Sequence, residues 1–194
     1  MIKTLSLAVL LIVSVPCSYA TSLVNDAPEF WGTASNGLQI AISPVYTQLK
    51  TGQDPEFDIA VRNVGTNDVF LNLGMTLGNG RSLFPTAIHL VLLDAQGHRR
   101  ELEPTGPASV SGRIDDYAVG LQAGAVHVLR VRLSQYWCPQ TKEWTMKLEK
   151  GAYRIAAQLS ETHQHHNNSG FVWVGWNTWV GTLQSNFADF IISD

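Results

Sequence analysis

The sequence has little charge and almost no cysteine, and both shortages exclude whole classes of protein. Of its 194 residues, 15% are charged, and 13 Lys and Arg against 16 Asp and Glu give a formal net charge of −3. Because the chain has no excess of basic residues to bind a phosphate backbone, nucleic acid is not an expected partner. Intrinsic disorder is also excluded, since 45% of the residues are hydrophobic and can fill a core.

Long hydrophobic runs are also scarce, and the one at the N-terminus has the layout of an export signal. Lys3 precedes an apolar stretch over residues 5–15, Pro16 interrupts it, and small residues lead to Ala20. The stretch is too short to cross a bilayer, which takes about 20 residues. The sequence predicts cleavage near Ala20 and an exported chain, periplasmic or extracellular, with no transmembrane segment in its mature form. A lipoprotein at Cys17 is the weaker alternative.

Removal of residues 1–20 would leave Cys138 as the single cysteine, which excludes an intramolecular disulfide. Two interpretations of Cys138 stay open. It is either a small buried hydrophobic residue or an exposed thiol that reacts or bridges to another chain.

The sequence also lacks the 3.6-residue apolar stripe of an amphipathic helix, and from residue 37 onward its apolar residues alternate with a period of two. This period is typical of half-buried strands whose other face meets water. Turn-forming Gly, Asn and Pro separate the runs. The pattern predicts an all-β, antiparallel sandwich over residues 37–194, preceded by an N-terminal extension over residues 21–36. The clearest runs cover residues 38–43, 57–62, 129–133 and 153–159.

Two segments carry a resemblance to a known fold family. Leu148, Gly151 and Tyr153 have the L-x-x-G-x-Y spacing of a tyrosine corner, and residues 179–192 contain W-x-G-x-x-x-S-N before an alternating run. Together with turns near Gly52 and Gly65, these motifs resemble secreted bacterial immunoglobulin-like domains. They are more distantly similar to the intracellular proteinase inhibitor-like sandwich.

The resemblance implies an antiparallel immunoglobulin-like β-sandwich with long loops and an extracytoplasmic setting. It implies no catalytic residues. Residues 161–178 depart from the pattern, because such domains join their last two strands with a tighter loop.

Three of the six histidines stand together, at His163, His165 and His166. On an extended chain His163 and His165 share a face and can present two imidazoles to Zn²⁺ or Cu²⁺. A solvated loop tip is the alternative interpretation.

Two of the six tryptophans, Trp173 and Trp176, follow the histidines closely. They are candidates for a flat platform that stacks on a sugar ring or anchors a protein partner. Packing within the loop or the core is the alternative.

No nucleophile, phosphate-binding or dinucleotide motif is present, and adjacent Asp115 and Asp116 are interpreted as a solvated loop rather than an acid–base pair. His127 is predicted on the apolar side of its strand in a structural role. We expect a non-catalytic binding module without a cofactor, whose partner is an unidentified protein. Metal binding and carbohydrate binding are alternatives. The candidate surfaces are three predicted loops, at residues 104–124, 134–147 and 161–178.

Overall fold

A computed structural model describes residues 30–78, 82–106, 112–161 and 177–194. The predicted export signal and the first part of the predicted extension lie outside this range. The described residues form thirteen strands and a short 3₁₀ turn at Leu133–Gln135, and none of their helices is long and apolar enough to span a membrane. The strands are β1 (Leu38–Pro44), β2 (Gln48–Lys50), β3 (Glu56–Asn63), β4 (Val69–Leu77), β5 (Leu83–Phe84), β6 (Ile88–Leu93), β7 (Arg99–Pro104), β8 (Ile114–Leu121), β9 (Val126–Arg132), β10 (Tyr136–Trp137), β11 (Gly151–Glu161), β12 (Gly181–Gln184) and β13 (Ala188–Ser193).

The strands form two main layers. One is an antiparallel sheet in the order β1-β3-β9, and the other has the order β10-β7-β6-β11-β13-β2, with β12 also paired to β11. Strands β1, β3 and β9 correspond to A, B and E of an immunoglobulin sandwich, and β6, β11 and β13 correspond to C, F and G. The predicted all-β, antiparallel immunoglobulin-like sandwich is therefore confirmed. Its one parallel ladder among the described strands joins β2 to β13.

A third sheet, in the order β5-β4-β8, lies between β3 and β9 in the sequence. Strand β4 bends at a bulge around Gly74, which has a φ of 140° and donates its N–H to Asn72 Oδ1 at 2.9 Å. A Cβ at Gly74 would lie 2.3 Å from the carbonyl oxygen of Phe84, so the position requires glycine.

The core lies between the two main layers and is built from the inward-facing residues of the alternating runs. The aromatic rings of Phe57 and Tyr153 both pack on Phe190, at centroid distances of 5.5 Å. Each fully buried large apolar side chain contributes roughly 1.5–3 kcal/mol to folding. Core members from five strands are Ile40, Phe57, Ile59, Leu90, Ile155 and Phe190.

The outer face of the β1-β3-β9 sheet, which the alternation predicted to meet water, is covered in part. Trp31 is 4% exposed and packs on Ala41 and Ala60, and the Arg62 guanidinium lies 4.1 Å from its ring centroid. Small residues on the outer face make room for this indole. The alternation shows that they point outward but does not show what covers them.

The tyrosine corner is present at the start of β11. The Tyr153 hydroxyl donates to the carbonyl oxygen of Glu149 at 2.8 Å, and burial raises the pKa of Tyr153. This bond fixes the crossing of the chain into the larger sheet, as the motif predicts.

The segment matched to a closing strand is divided into β12 and β13, which both pair with β11. Ser185 lies between them and is 3% exposed. Its Oγ accepts the N–H of Ala157 at 2.8 Å, and its own N–H donates to the carbonyl oxygen of Ala157 at 2.9 Å. The S-N dipeptide of the motif therefore forms a kink, and Ser185 provides hydrogen-bond partners for the N–H and the carbonyl oxygen of Ala157 in β11.

Candidate functional site

The residues singled out for metal binding and aromatic stacking lie outside the described residues. His163, His165, His166, Trp173 and Trp176 all belong to residues 162–176. Within the four described ranges, no cluster of three or more His, Cys, Asp or Glu side chains is placed to hold a metal. Metal binding by the three histidines stays a prediction.

The interpretation of residues 104–124 as one long loop was wrong. Residues Ile114–Leu121 form β8, which pairs with β4 along its length. Asp115 and Asp116 are successive strand residues, so their side chains point to opposite faces. Asp115 accepts the Nε–H of Arg113 at 2.7 Å. Two adjacent acidic residues concealed the alternation that would have indicated a strand.

His127 lies on the apolar side of β9 and packs against β8 in a structural role, as predicted. Its Nε2 lies 3.2 Å from the Tyr117 hydroxyl, and the two rings meet edge to face. Burial lowers the pKa of His127 and raises that of Tyr117. Both groups therefore favour their neutral forms in the folded chain.

The most distinctive surface of the described residues lies within residues 134–147. The indoles of Trp137 and Trp144 stack with centroids 4.5 Å apart and ring planes at 7°. Trp144 is 65% exposed. We call this pair the tryptophan platform.

Local backbone structure holds the platform in place. Trp137 ends β10, an edge strand paired with β7 opposite Glu103. The N–H of Cys138 donates to the carbonyl oxygen of Glu143 at 2.9 Å, and Lys142 takes a positive φ of 58° in the turn between them. The chain thus reverses over six residues and brings the two indoles face to face.

The base of the platform is buried in the main core. Tyr136 and Cys138 are 1% and 0% exposed, and the Cys138 Sγ donates to Gln140 Oε1 at 3.0 Å. Of the two interpretations of Cys138, the structure shows the buried small residue. Burial also raises the pKa of Tyr136.

Charged residues of both signs lie near the turn that carries the platform. Glu143 lies 3.8 Å from an Arg100 Nη1, and Glu103 is exposed beside Trp137. A partly exposed ion pair such as Glu143–Arg100 contributes less than about 1 kcal/mol to stability, so a partner that breaks the pair loses little free energy.

Sequence reasoning missed the pairing of Trp137 with Trp144. The available signal was two tryptophans on either side of a Pro-Gln-Thr-Lys turn, in positions that face each other when the chain reverses.

Comparisons with known proteins do not place the chain in a family. No family model and no curated protein matches it. Similar solved structures include the CARDB domain of the PF1109 protein from Pyrococcus furiosus in complex with di-metal ions, at 12% identity and a TM-score of 0.35, covering 87% of this chain and 100% of that one. Another is AvmM, which catalyses macrocyclization in alchivemycin A biosynthesis, at 13% identity and a TM-score of 0.34, covering 84% of this chain and 95% of that one.

A third is a family 123 glycoside hydrolase from Clostridium perfringens, at 7% identity and a TM-score of 0.27, covering 79% of this chain and 27% of that one. Likeness this low carries no argument about function. The fold assignment rests on the strand order and the tyrosine corner of the chain itself.

Proposed function

We propose that the chain is an exported binding module that docks a protein partner through the tryptophan platform. The observation that carries this proposal is the large exposed face of Trp144, held against Trp137 at 4.5 Å. The predicted export signal in residues 1–20 supports the extracytoplasmic setting.

An exposed indole on a rigid support has the properties of a binding anchor. Tryptophan is enriched among the few residues that dominate the energy of protein interfaces. Because Trp137 already restricts the orientation of Trp144, little side-chain entropy remains to be lost when a partner covers it.

The surroundings match the anatomy of an interface centre with a polar rim. Glu103 lies opposite Trp137 on β7, and Glu143, which directly precedes Trp144, lies 3.8 Å from Arg100, so charged groups flank the segments that carry the two indoles. The short edge strand β10 also ends at the platform.

Substitution of Trp144 tests the proposal. The parent chain, Trp144→Ala and Tyr46→Ala are each purified with their associated proteins from the native envelope fraction. Tyr46 is 64% exposed and lies before β2, so it is a matched control for the loss of an exposed aromatic side chain.

We expect one protein to co-purify with the parent and with Tyr46→Ala, and its yield to fall at least about tenfold with Trp144→Ala. Loss of an interface anchor costs about 2 kcal/mol or more, which exceeds a tenfold change in affinity. Equal recovery by Trp144→Ala and the parent would exclude the platform as the docking surface.

A further inference from the structure

A cleft of about 450 Å³ opens between the loop that leads from β3 into β4 and the segment that precedes β12. Its walls are residues 36–37, 63, 65–67, 69 and 177–180. This volume lies within the roughly 300–1,000 Å³ that is typical of small-molecule sites. We call it the amide cleft, and it shares no residue with the tryptophan platform.

The chemistry of its walls is polar and uncharged. Among the described residues that line it, none is Lys, Arg, His, Asp or Glu, and the polar side chains are four amides and two hydroxyls. Such walls offer no fixed charge to neutralise an ion. The six polar side chains belong to Asn36, Asn63, Thr66, Asn67, Asn177 and Thr178.

Internal hydrogen bonds fix the floor of the cleft. Asn63 is 1% exposed, its Nδ2 donates to the carbonyl oxygens of Asn67 and Leu121 at 2.8 and 3.1 Å, and its Oδ1 accepts the N–H of Gly65 at 2.9 Å. Asn177 Nδ2 donates to the carbonyl oxygen of Asp68 at 2.9 Å. The loop that bears Thr66 and Asn67 is therefore held in one geometry before any ligand arrives.

Other polar groups in the cleft are left available. The hydroxyls of Thr66 and Thr178 and the amide of Asn67 have no hydrogen-bond partner among the described residues. Each of these groups can both donate and accept a hydrogen bond. Val69 and Val180 add apolar surface beside them.

We propose that the amide cleft binds an uncharged saccharide, one or two pyranose units in size. Sugar hydroxyls also donate and accept, so they match amides and hydroxyls in kind, and the C–H faces of the rings match the valines. A peptide strand would need an open backbone edge. Here the backbone groups beside the cleft are already paired with each other. The Trp179 N–H donates to the Phe70 carbonyl oxygen at 2.8 Å, and the Phe70 N–H donates to the Asn177 carbonyl oxygen at 2.9 Å.

Saturation-transfer NMR with the full chain tests the proposal. The probes are cellobiose, maltose, lactose and N,N′-diacetylchitobiose, each at up to roughly 10 mM, a range that detects millimolar affinity. Glucuronic acid and glucosamine are the charged comparisons. We expect transfer to at least one neutral disaccharide, with an affinity that does not change with salt because the cleft has no charge to screen.

Two variants remove one available group each, and a third is the matched control. Asn67→Ala and Thr178→Val are expected to weaken the binding of that disaccharide about threefold to tenfold, the effect of one lost hydrogen bond. Gln96→Ala removes an exposed side-chain amide from the β6–β7 turn and is expected to bind like the parent. Thermal melting of each variant checks that it folds.

The proposal is overturned if no neutral disaccharide gives transfer, if a charged sugar binds more tightly, or if folded Asn67→Ala and Thr178→Val both bind like the parent. It stands apart from the protein partner proposed above, because no residue of the platform takes part in this experiment.

Discussion

At the scale of single residues, the Tyr153 hydroxyl makes the hydrogen bond that the tyrosine-corner motif predicts. Tyr153 donates to the carbonyl oxygen of Glu149 where the chain crosses between the layers. The L-x-x-G-x-Y spacing predicted this bond because the motif specifies local geometry. The contacts of Trp31 with Ala41 and Ala60 join residues from separate segments, and no local spacing indicates them.

Tyr153→Phe is expected to lower the free energy of unfolding by about 1 kcal/mol, since it removes one hydrogen bond and keeps the ring packed on Phe190. Urea denaturation measures the difference. Tyr46→Phe is the control, because that side chain is 64% exposed. A Tyr153→Phe variant as stable as the parent would show that the corner bond contributes nothing.

The histidine cluster is tested by titrating the chain with Zn²⁺ and Cu²⁺. If His163 and His165 chelate a metal, micromolar binding is expected and is lost in the His163→Ala/His165→Ala double variant. His98→Ala changes an exposed histidine elsewhere and is the control. Unchanged binding in the double variant, or none in the parent, would contradict the prediction.

At the scale of elements, the contact between β8 and β9 makes stability depend on pH. Burial lowers the pKa of His127 below its ordinary value of 6.5, so the unfolded chain takes up the proton first as the pH falls. Stability is therefore greatest above about pH 6.5 and declines as the pH falls through that value toward the folded pKa.

Replacement by Gln removes this titration. We expect the parent to lose more stability than His127→Gln between about pH 7.5 and pH 5 in urea denaturation. If His127→Gln has the same pH dependence as the parent, another group is responsible for the decline.

The bulge in β4 gives a second prediction at this scale. Gly74→Ala places a Cβ 2.3 Å from the carbonyl oxygen of Phe84, and its cost is expected to exceed about 3 kcal/mol because backbone must shift. Gly97 also has a positive φ, of 81°, but open space where a Cβ would lie, so Gly97→Ala is expected to cost about 1 kcal/mol. If urea denaturation shows that the two variants lose the same free energy of unfolding, the positive φ alone explains why position 74 is glycine.

At the scale of the whole molecule, the period-two pattern was sufficient to predict an antiparallel sandwich. Alternation reports which face of a strand is buried, and β9 follows it throughout, whereas β1, β3 and β11 each contain three consecutive buried residues where an alanine of the outer face is also covered. It could not predict β8, where two aspartates interrupt the apolar face, or the meeting of Trp137 with Trp144. The platform and the amide cleft both depend on chain reversals and crossings, which are set by tertiary packing.

The central claim is that the tryptophan platform is where a protein partner docks, and crosslinking in cells that produce the chain tests it most directly. A photoreactive amino acid replaces Trp144 in one variant and Tyr46 in another, and adducts are compared after irradiation. We predict one discrete protein adduct from position 144 and none of the same mass from position 46. No discrete adduct at position 144, or the same adduct at both positions, would contradict the claim.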